Sequence, residues 1–425
     1  MSVCKIDKES SVSVLMPFIE GLIISMKIIE ILFYIVCFFP FVVLGGLSNG
    51  SDTQPYCLLI SVPLSFFFII KNSLKINLNA IFLYITIGIG IIIGIFIPAI
   101  YGINISSCFR YIATYIGMIC ISYVSYSLCK MKKNYNEKLI KIIINIWGMV
   151  GIIQLFFFRN FAYRIVANPR TSDNRGVISL ASEPSYYGAV CVLMLLLVFD
   201  FKKNKFFYQI NLLVQILFIA KSSVSVVYLL CFCSLYLIYS LYKRNAKHIF
   251  VLACILTVAF LILYRVVGNT GNGQRITMFA EILFKSENLN KALKMILSEK
   301  SVSIRWNDII FCLKGFAEYL GLPHGFATRI ISSGYGSVIY TMGWIGVLCI
   351  IQIYFIVKKA YIGQKKYETK VLPLFITIIM FSNIQLANPI FPFMLGYYLY
   401  RGNNYIFRNE DFVQKLRIMI KDILR

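Results

Sequence analysis

Residues 139–158 read LIKIIINIWGMVGIIQLFFF, and residues 159–188 continue RNFAYRIVANPRTSDNRGVISLASEPSYYG. The first block is long enough to cross a bilayer, which takes about 20 mostly apolar residues. The second is polar, and the apolar run AVCVLMLLLVF follows it directly. A polar stretch held between two such runs is a loop of a membrane protein. This loop carries Arg159, Arg164, Arg170 and Arg175, no Lys, and only two acids, Asp173 and Glu183. A guanidinium presents a planar fork that matches phosphate oxygens in pairs, which an ammonium cannot do. Loop 159–183 is therefore an anion-seeking surface suited to phosphate or pyrophosphate.

The rest of the chain repeats the pattern. Its 425 residues are 59% hydrophobic, with a mean hydropathy of +0.76, against about 45–50% apolar in soluble domains. The expected fold is an all-α polytopic membrane protein, one integral domain over 1–425 with about twelve transmembrane helices. The spans are read at 28–47, 56–70, 79–100, 109–129, 139–158, 184–200, 207–220, 224–242, 248–267, 336–357, 371–387 and 390–401. The formal charge of +24 comes mostly from Lys between spans, so it marks topology and not nucleic acid. Lys71 and Lys75, Lys130 to Lys138, Lys202 to Lys205, Lys243 to Lys247 and Lys358 to Lys370 fall in every second connection. Both termini are then cytoplasmic, with a basic tail at 402–425. Lys221-Ser222-Ser223 and Asn388-Pro389-Ile390-Phe391-Pro392 interrupt apolar blocks and read as short outer turns or broken, re-entrant segments.

Two sizeable loops fall on the outer side, 159–183 and 268–335. The second opens with GNTGNG (268–273). Leu289, Ala292, Leu293, Ile296 and Leu297 predict an amphipathic helix able to lie on a membrane surface. A further helix is predicted over Ile304–Leu320, stopped by Gly321 and Pro323. Of the fourteen Arg, nine fall on or near the outer side: Arg110, Arg159, Arg164, Arg170, Arg175, Arg265, Arg275, Arg305 and Arg329. Topology alone does not call for arginines there, and an outer anionic ligand does. Inner connections of about a dozen residues are too short to house a catalytic domain.

Twelve Cys, mostly inside apolar runs, show no CxxC spacing, and the chain has two His. Neither a metal centre nor a disulfide framework is expected, and no cofactor motif is visible. Glu183 before Pro184 is first of all a helix start, where a carboxylate favours the macrodipole; it is also a candidate general base or organiser of the Arg cluster. His324 is the sole outer imidazole and a second candidate for proton transfer. Arg164, Arg170, Arg175, Arg275, Arg305 and Arg329 are the candidate phosphate-binding residues. Tyr186, Tyr187, Trp306 and Tyr335 are read as outer-interface aromatics, Tyr187 among them a candidate sugar contact. Lys221 is read as a snorkelling or pocket cation.

Arg170, Arg175, Ser182-Glu183-Pro184-Ser185-Tyr186-Tyr187-Gly188, the run from Gly325 to Gly336, and Met342-Gly343-Trp344-Ile345-Gly346, set in this layout, resemble the O-antigen polymerases of the Wzy type, relatives of the O-antigen ligases. The resemblance implies a metal-independent glycosyltransferase of the bacterial inner membrane. It would join undecaprenyl-pyrophosphate-linked repeat units on the periplasmic side, with a chain-length regulator protein as a possible partner. A flippase for the same lipid-linked units, or a ligase, shares much of this layout.

Overall fold

The computed structural model describes residues 27–43, 52–72, 78–102, 105–171, 176–243, 300–329, 331, 333–362, 367–381 and 386–403. The expected span 248–267, the amphipathic helix around 289–297, Arg175, Arg275 and most of the basic tail lie outside these residues. The described chain is helical, with a single isolated bridge between Val42 and Val166. Its elements are α1 (27–38), α2 (Tyr56–Asn72), α3 (Leu78–Ile100), α4 (Phe109–Lys132), α5 (Glu137–Phe156), α6 (Pro184–Val198), α7 (Lys205–Val214), α8 (Ser223–Tyr242), α9 (Lys300–Glu318), α10 (Gly334–Met342), α11 (Trp344–Ala360), α12 (Tyr367–Ile379) and α13 (390–403). Among the described residues, four helices are long and apolar enough to cross a membrane: Leu78–Ile100, Ser106–Lys132, Glu137–Phe156 and Val224–Tyr242. Shorter apolar helices lie at Tyr56–Lys71, Pro184–Val198, Lys205–Ile219 and Thr369–Ile379.

The centre is α6. From Tyr187 to Val198 every residue of it is buried, as its composition requires, because a helix apolar on all sides needs protein or lipid all round. It packs against α7 and α8. By contrast α3 leaves Phe82, Ile85, Ile89, Ile92 and Phe96 exposed along one side, a row of large apolar groups suited to lipid.

One expected span is divided, and two expected interruptions are seen. α7 ends in a π-turn over Gln215–Ile219, and Lys221 takes a φ of 44° before Ser222 caps α8 through the Ser225 amide. The expected span 336–357 divides at Gly343 into α10 and α11. Gly343 has φ 58°, and a Cβ there would stand 2.2 Å from the Gly321 carbonyl oxygen. That contact seats the Leu320–Gly321 turn, which ends α9 near where the sequence predicts a stop. The expected spans 371–387 and 390–401 contain the helices α12 and α13 on either side of Asn388-Pro389, where Asn388 Oδ1 accepts the Ile390 amide at 3.1 Å.

The helices have two ends. Val42, Asp52 and the start of α6 meet loop 159–171 at one. At the other, α4 and α11 finish in Lys130, Lys132, Lys358 and Lys359. This Lys end is tied by ions. Lys132 donates to Glu30, which also accepts from Asn136 at 3.3 Å. Arg401 pairs with Asp200, which accepts the Tyr361 and Tyr397 hydroxyls at 3.2 Å each. Among the described residues these bonds join both terminal helices, α1 and α13, to the middle of the chain.

Candidate functional site

The Arg loop is not an open surface loop throughout. Its first part, 159–170, is largely exposed, with Arg164 on the short turn Tyr163–Ile165. Its second part dives inward, and residues 176–182 are buried. Apolar Val177, Ile178, Leu180 and Ala181 drive that burial, and polar side chains from the helices satisfy the backbone, as burial demands. Gln154 Oε1 accepts the Ser179 amide at 2.6 Å, and its Nε2 donates to the carbonyls of Phe161 and Ser179 at 2.6 and 2.9 Å. Ser179 Oγ donates to the Trp147 carbonyl at 2.7 Å. Gly176 runs so close to the α7 turn that a Cβ would lie 2.0 Å from the Ala220 carbonyl oxygen.

This path delivers Ser182 and Glu183 to the foot of the exposed part, where the Arg170 amide donates to the Ser182 carbonyl at 2.7 Å. Arg170 pairs with Asp52, which also accepts from Asn168 at 3.4 Å. Ser185 donates to Glu183, and Tyr186 stacks on Phe41 with ring centres 5.6 Å apart. Burial works against the Arg170 charge. The carboxylates of Asp52 and Glu183 outweigh it and raise the guanidinium above its ordinary value, so it stays charged. Arg170, Glu183, Tyr186 and Asp52 thus form one group. Glu183 is also the N-cap of α6, with Pro184 in the first turn, but its side chain makes no cap hydrogen bond. The carboxylate accepts from Ser185 instead.

Beside this group lies a cavity of about 300 Å³. Thr53 and Gln54, next to Asp52, form one wall. Arg110 and Thr114 of α4 form another, and Pro389 and Pro392 of the broken segment close it. Arg110 counts among the outer arginines of the sequence, but nothing in its spacing marked a cavity.

The other expected site residues fall elsewhere. His324 stands in a different neighbourhood, between α9 and α10. Its ring lies flat on Tyr340 at 4.3 Å and edge-on to Tyr319 at 4.8 Å, and its Nδ1 is buried without a hydrogen-bond partner. Burial pushes the imidazole below its ordinary value, against a smaller raising effect of the Tyr340 backbone. Arg329 is held against α9, 4.0 Å from Asp308 and with its guanidinium 3.6 Å from the centre of the Phe311 ring. Arg305 lies within α9. The next residue but one from His324 is a plug. Phe326 is stacked between Tyr111 and Tyr115 at 5.5 and 5.4 Å, with its amide on the Gly94 carbonyl at 2.8 Å.

Two aromatic readings are corrected. Tyr187 is not an interface ring: it is 0% exposed, stacks on Trp147 at 5.5 Å and donates to Gln215 Oε1 at 2.9 Å. Tyr335 is likewise 0% exposed, edge-on to Phe381. Both follow a loop directly, where a belt residue is expected, but each ring is packed among buried neighbours of the bundle. Among the described residues no group of His, Cys, Asp and Glu is placed to hold a metal ion. No protein-family model matches the chain, and no curated protein or solved structure matches it either.

Proposed function

We propose that the chain is a glycosyltransferase that polymerises lipid-linked oligosaccharide repeat units, an O-antigen polymerase of the bacterial inner membrane. In this reading about twelve spans cross the membrane, both termini are cytoplasmic, and the Arg-loop end faces the periplasm. The observation that carries it is the grouping of Arg170 with Glu183, beside a cavity that holds Arg110.

The chemistry asks little beyond positioned charge and a base. A hydroxyl of the acceptor sugar attacks the anomeric carbon of the donor. The new C–O bond forms as the bond from that carbon to the pyrophosphate oxygen breaks, and the pyrophosphate leaves with the electron pair. The hydroxyl proton passes to a base, for which Glu183 and His324 are the two candidates. Arg164, Arg170, Arg175, Arg275, Arg305 and Arg329 are the proposed phosphate contacts, and guanidinium groups in a water-poor site stabilise the charge on the leaving group. The partners are undecaprenyl-pyrophosphate-linked glycans and, for chain length, a regulator protein.

The test is the polysaccharide ladder of a strain lacking the gene, complemented with wild type, Arg170→Ala and Glu183→Gln. Core carrying a single repeat in the deletion strain, with no ladder restored by Glu183→Gln, is the expected result. A second reading is a transporter of the same lipid-linked units. Its basis is the shared layout of the sequence; Glu30 and Asp200 are paired with Lys132 and Arg401 at the Lys end and mark no path across the bundle. Loss of even the single repeat in the deletion strain would point to that transporter or to a ligase, and would remove the polymerase reading.

A further inference from the structure

The cavity beside Arg170 has a direction. Along α4 it is lined by Arg110, Thr114, Gly117, Met118 and Ile121. These positions are spaced by three and four, so they share one helix face. The face runs from a cation through a hydroxyl to an apolar floor over about 16 Å, at 1.5 Å per residue. On the facing wall Gln54 adds an amide at the loop preceding α2, and Leu58 adds an apolar group one turn into it.

Arg110 is the informative residue. It stands about one turn into the continuous helix Ser106–Lys132. Among the described residues no carboxylate forms an ion pair with it. An anion seated there would gain from the guanidinium, which binds phosphate oxygens in pairs. Gly117 marks the apolar end. A Cβ there would meet only Ile121 Cδ1 and Leu58 Cδ1, both at 3.8 Å, so the floor is open. A volume of about 300 Å³ is at the small end for ligand pockets. It suits a headgroup with the first units of a chain, the rest lying outside.

We infer that this cavity binds the head of a phosphate-bearing amphiphile, with the phosphate at Arg110 and Gln54 and the first apolar units along Gly117, Met118 and Ile121. The inference rests on the proposed function for the kind of amphiphile, a polyprenyl phosphate or pyrophosphate. Asp52, whose neighbour Thr53 lines the cavity, is the partner of Arg170, so a head held here lies beside the Arg170–Glu183 group.

The experiment uses the full-length protein in phosphatidylcholine nanodiscs. Equilibrium binding is measured for farnesyl pyrophosphate, inorganic pyrophosphate and farnesol. Farnesyl pyrophosphate is expected to bind saturably and at least tenfold tighter than either fragment. Arg110→Gln is expected to weaken it at least tenfold, and so is Gly117→Leu, which fills the apolar end without touching a charge. Lys358→Gln, a cation removed at the opposite end, leaves it unchanged. Inorganic pyrophosphate binding as tightly as farnesyl pyrophosphate would overturn the amphiphile site in favour of a free-phosphate site. Unchanged affinity in Arg110→Gln, or in Gly117→Leu should the Arg110 variant fail to fold, would also overturn it. The ladder experiment fails separately: Glu183→Gln with a full ladder removes Glu183 as the base and leaves His324, whatever farnesyl pyrophosphate does. Absent farnesyl pyrophosphate binding, with the ladder still dependent on Glu183, removes only the cavity.

Discussion

His324 has the most distinctive chemistry of any single residue here. Its Nδ1 is buried without a partner, and burial holds its pKa below the ordinary value, which is about 6.5. The unfolded chain therefore binds a proton at higher pH than the folded one. The His324 contribution to stability is complete above the ordinary value and is lost as pH falls through the window below it. His324→Phe should flatten the acid limb of a melting-temperature profile between pH 7 and pH 5; an unchanged limb would show that another group sets it. A neutral imidazole at pH 7 can also accept a proton, so activity in wild type should fall on the same limb. Arg170 is a different case. Its pair with Asp52 is surface-exposed on the arginine side, and such pairs contribute about 0.2–1 kcal/mol. Asp52→Ala should barely move the melting temperature, yet it should change polymer length if Arg170 meets substrate. A normal ladder in Asp52→Ala and Arg170→Ala together would make the pair structural only.

At the scale of the element, loop 159–183 is half surface and half core. The charged half was legible because arginines without lysines are unusual in composition. The buried half, 176–182, was not. VISLAS has no periodicity over so short a run, and its burial depends on Gln154, which lies on another helix. A polar Gln inside the apolar run of α5 was the available signal, since such groups are rare in spans without a reason. Gln154→Leu leaves the Ser179 amide and two carbonyls unpaired and should cost about 1–3 kcal/mol. Gly176→Ala forces a shift against the Ala220 carbonyl and should cost a comparable amount, about 1–3 kcal/mol. Denaturation in detergent followed by tryptophan fluorescence measures both. A neutral Gly176→Ala would mean that the loop is not seated on the α7 turn.

At the scale of the molecule, the described helices form a bundle whose two ends differ in kind. One gathers lysines and the ion pairs Glu30–Lys132 and Asp200–Arg401; the other gathers the Arg170 group, the cavity and the Phe326 plug. Removing one partner of a buried pair leaves the other uncompensated. Asp200→Ala orphans Arg401 and two tyrosine hydroxyls and should lower stability by about 3 kcal/mol. Sidedness is tested by placing cysteines at Ser172 and Asn290, in the two loops expected on the outer side. An impermeant thiol reagent should label both on intact cells whose outer membrane has been opened, and protection of both would invert the topology.

What the sequence determined alone was the class of the molecule and the signs of its ends. Hydropathy and charge are local properties, and a span of apolar residues or a run of lysines means the same in any fold. Glu183 as the start of α6, the helix ending near Gly321 and the break at Asn388-Pro389 were also legible, because caps and prolines act on their own backbone. Tertiary structure alone decided which residues meet. Asp52 in the turn before α2 finds Arg170 more than a hundred residues on, Tyr187 turns inward onto Trp147, and His324 stands apart from Glu183. Arg110 becomes the wall of a cavity only when α2, α4 and the Pro389 break close around it. Such pairings depend on how helices distant in the chain pack, and no local pattern in one sequence encodes that packing.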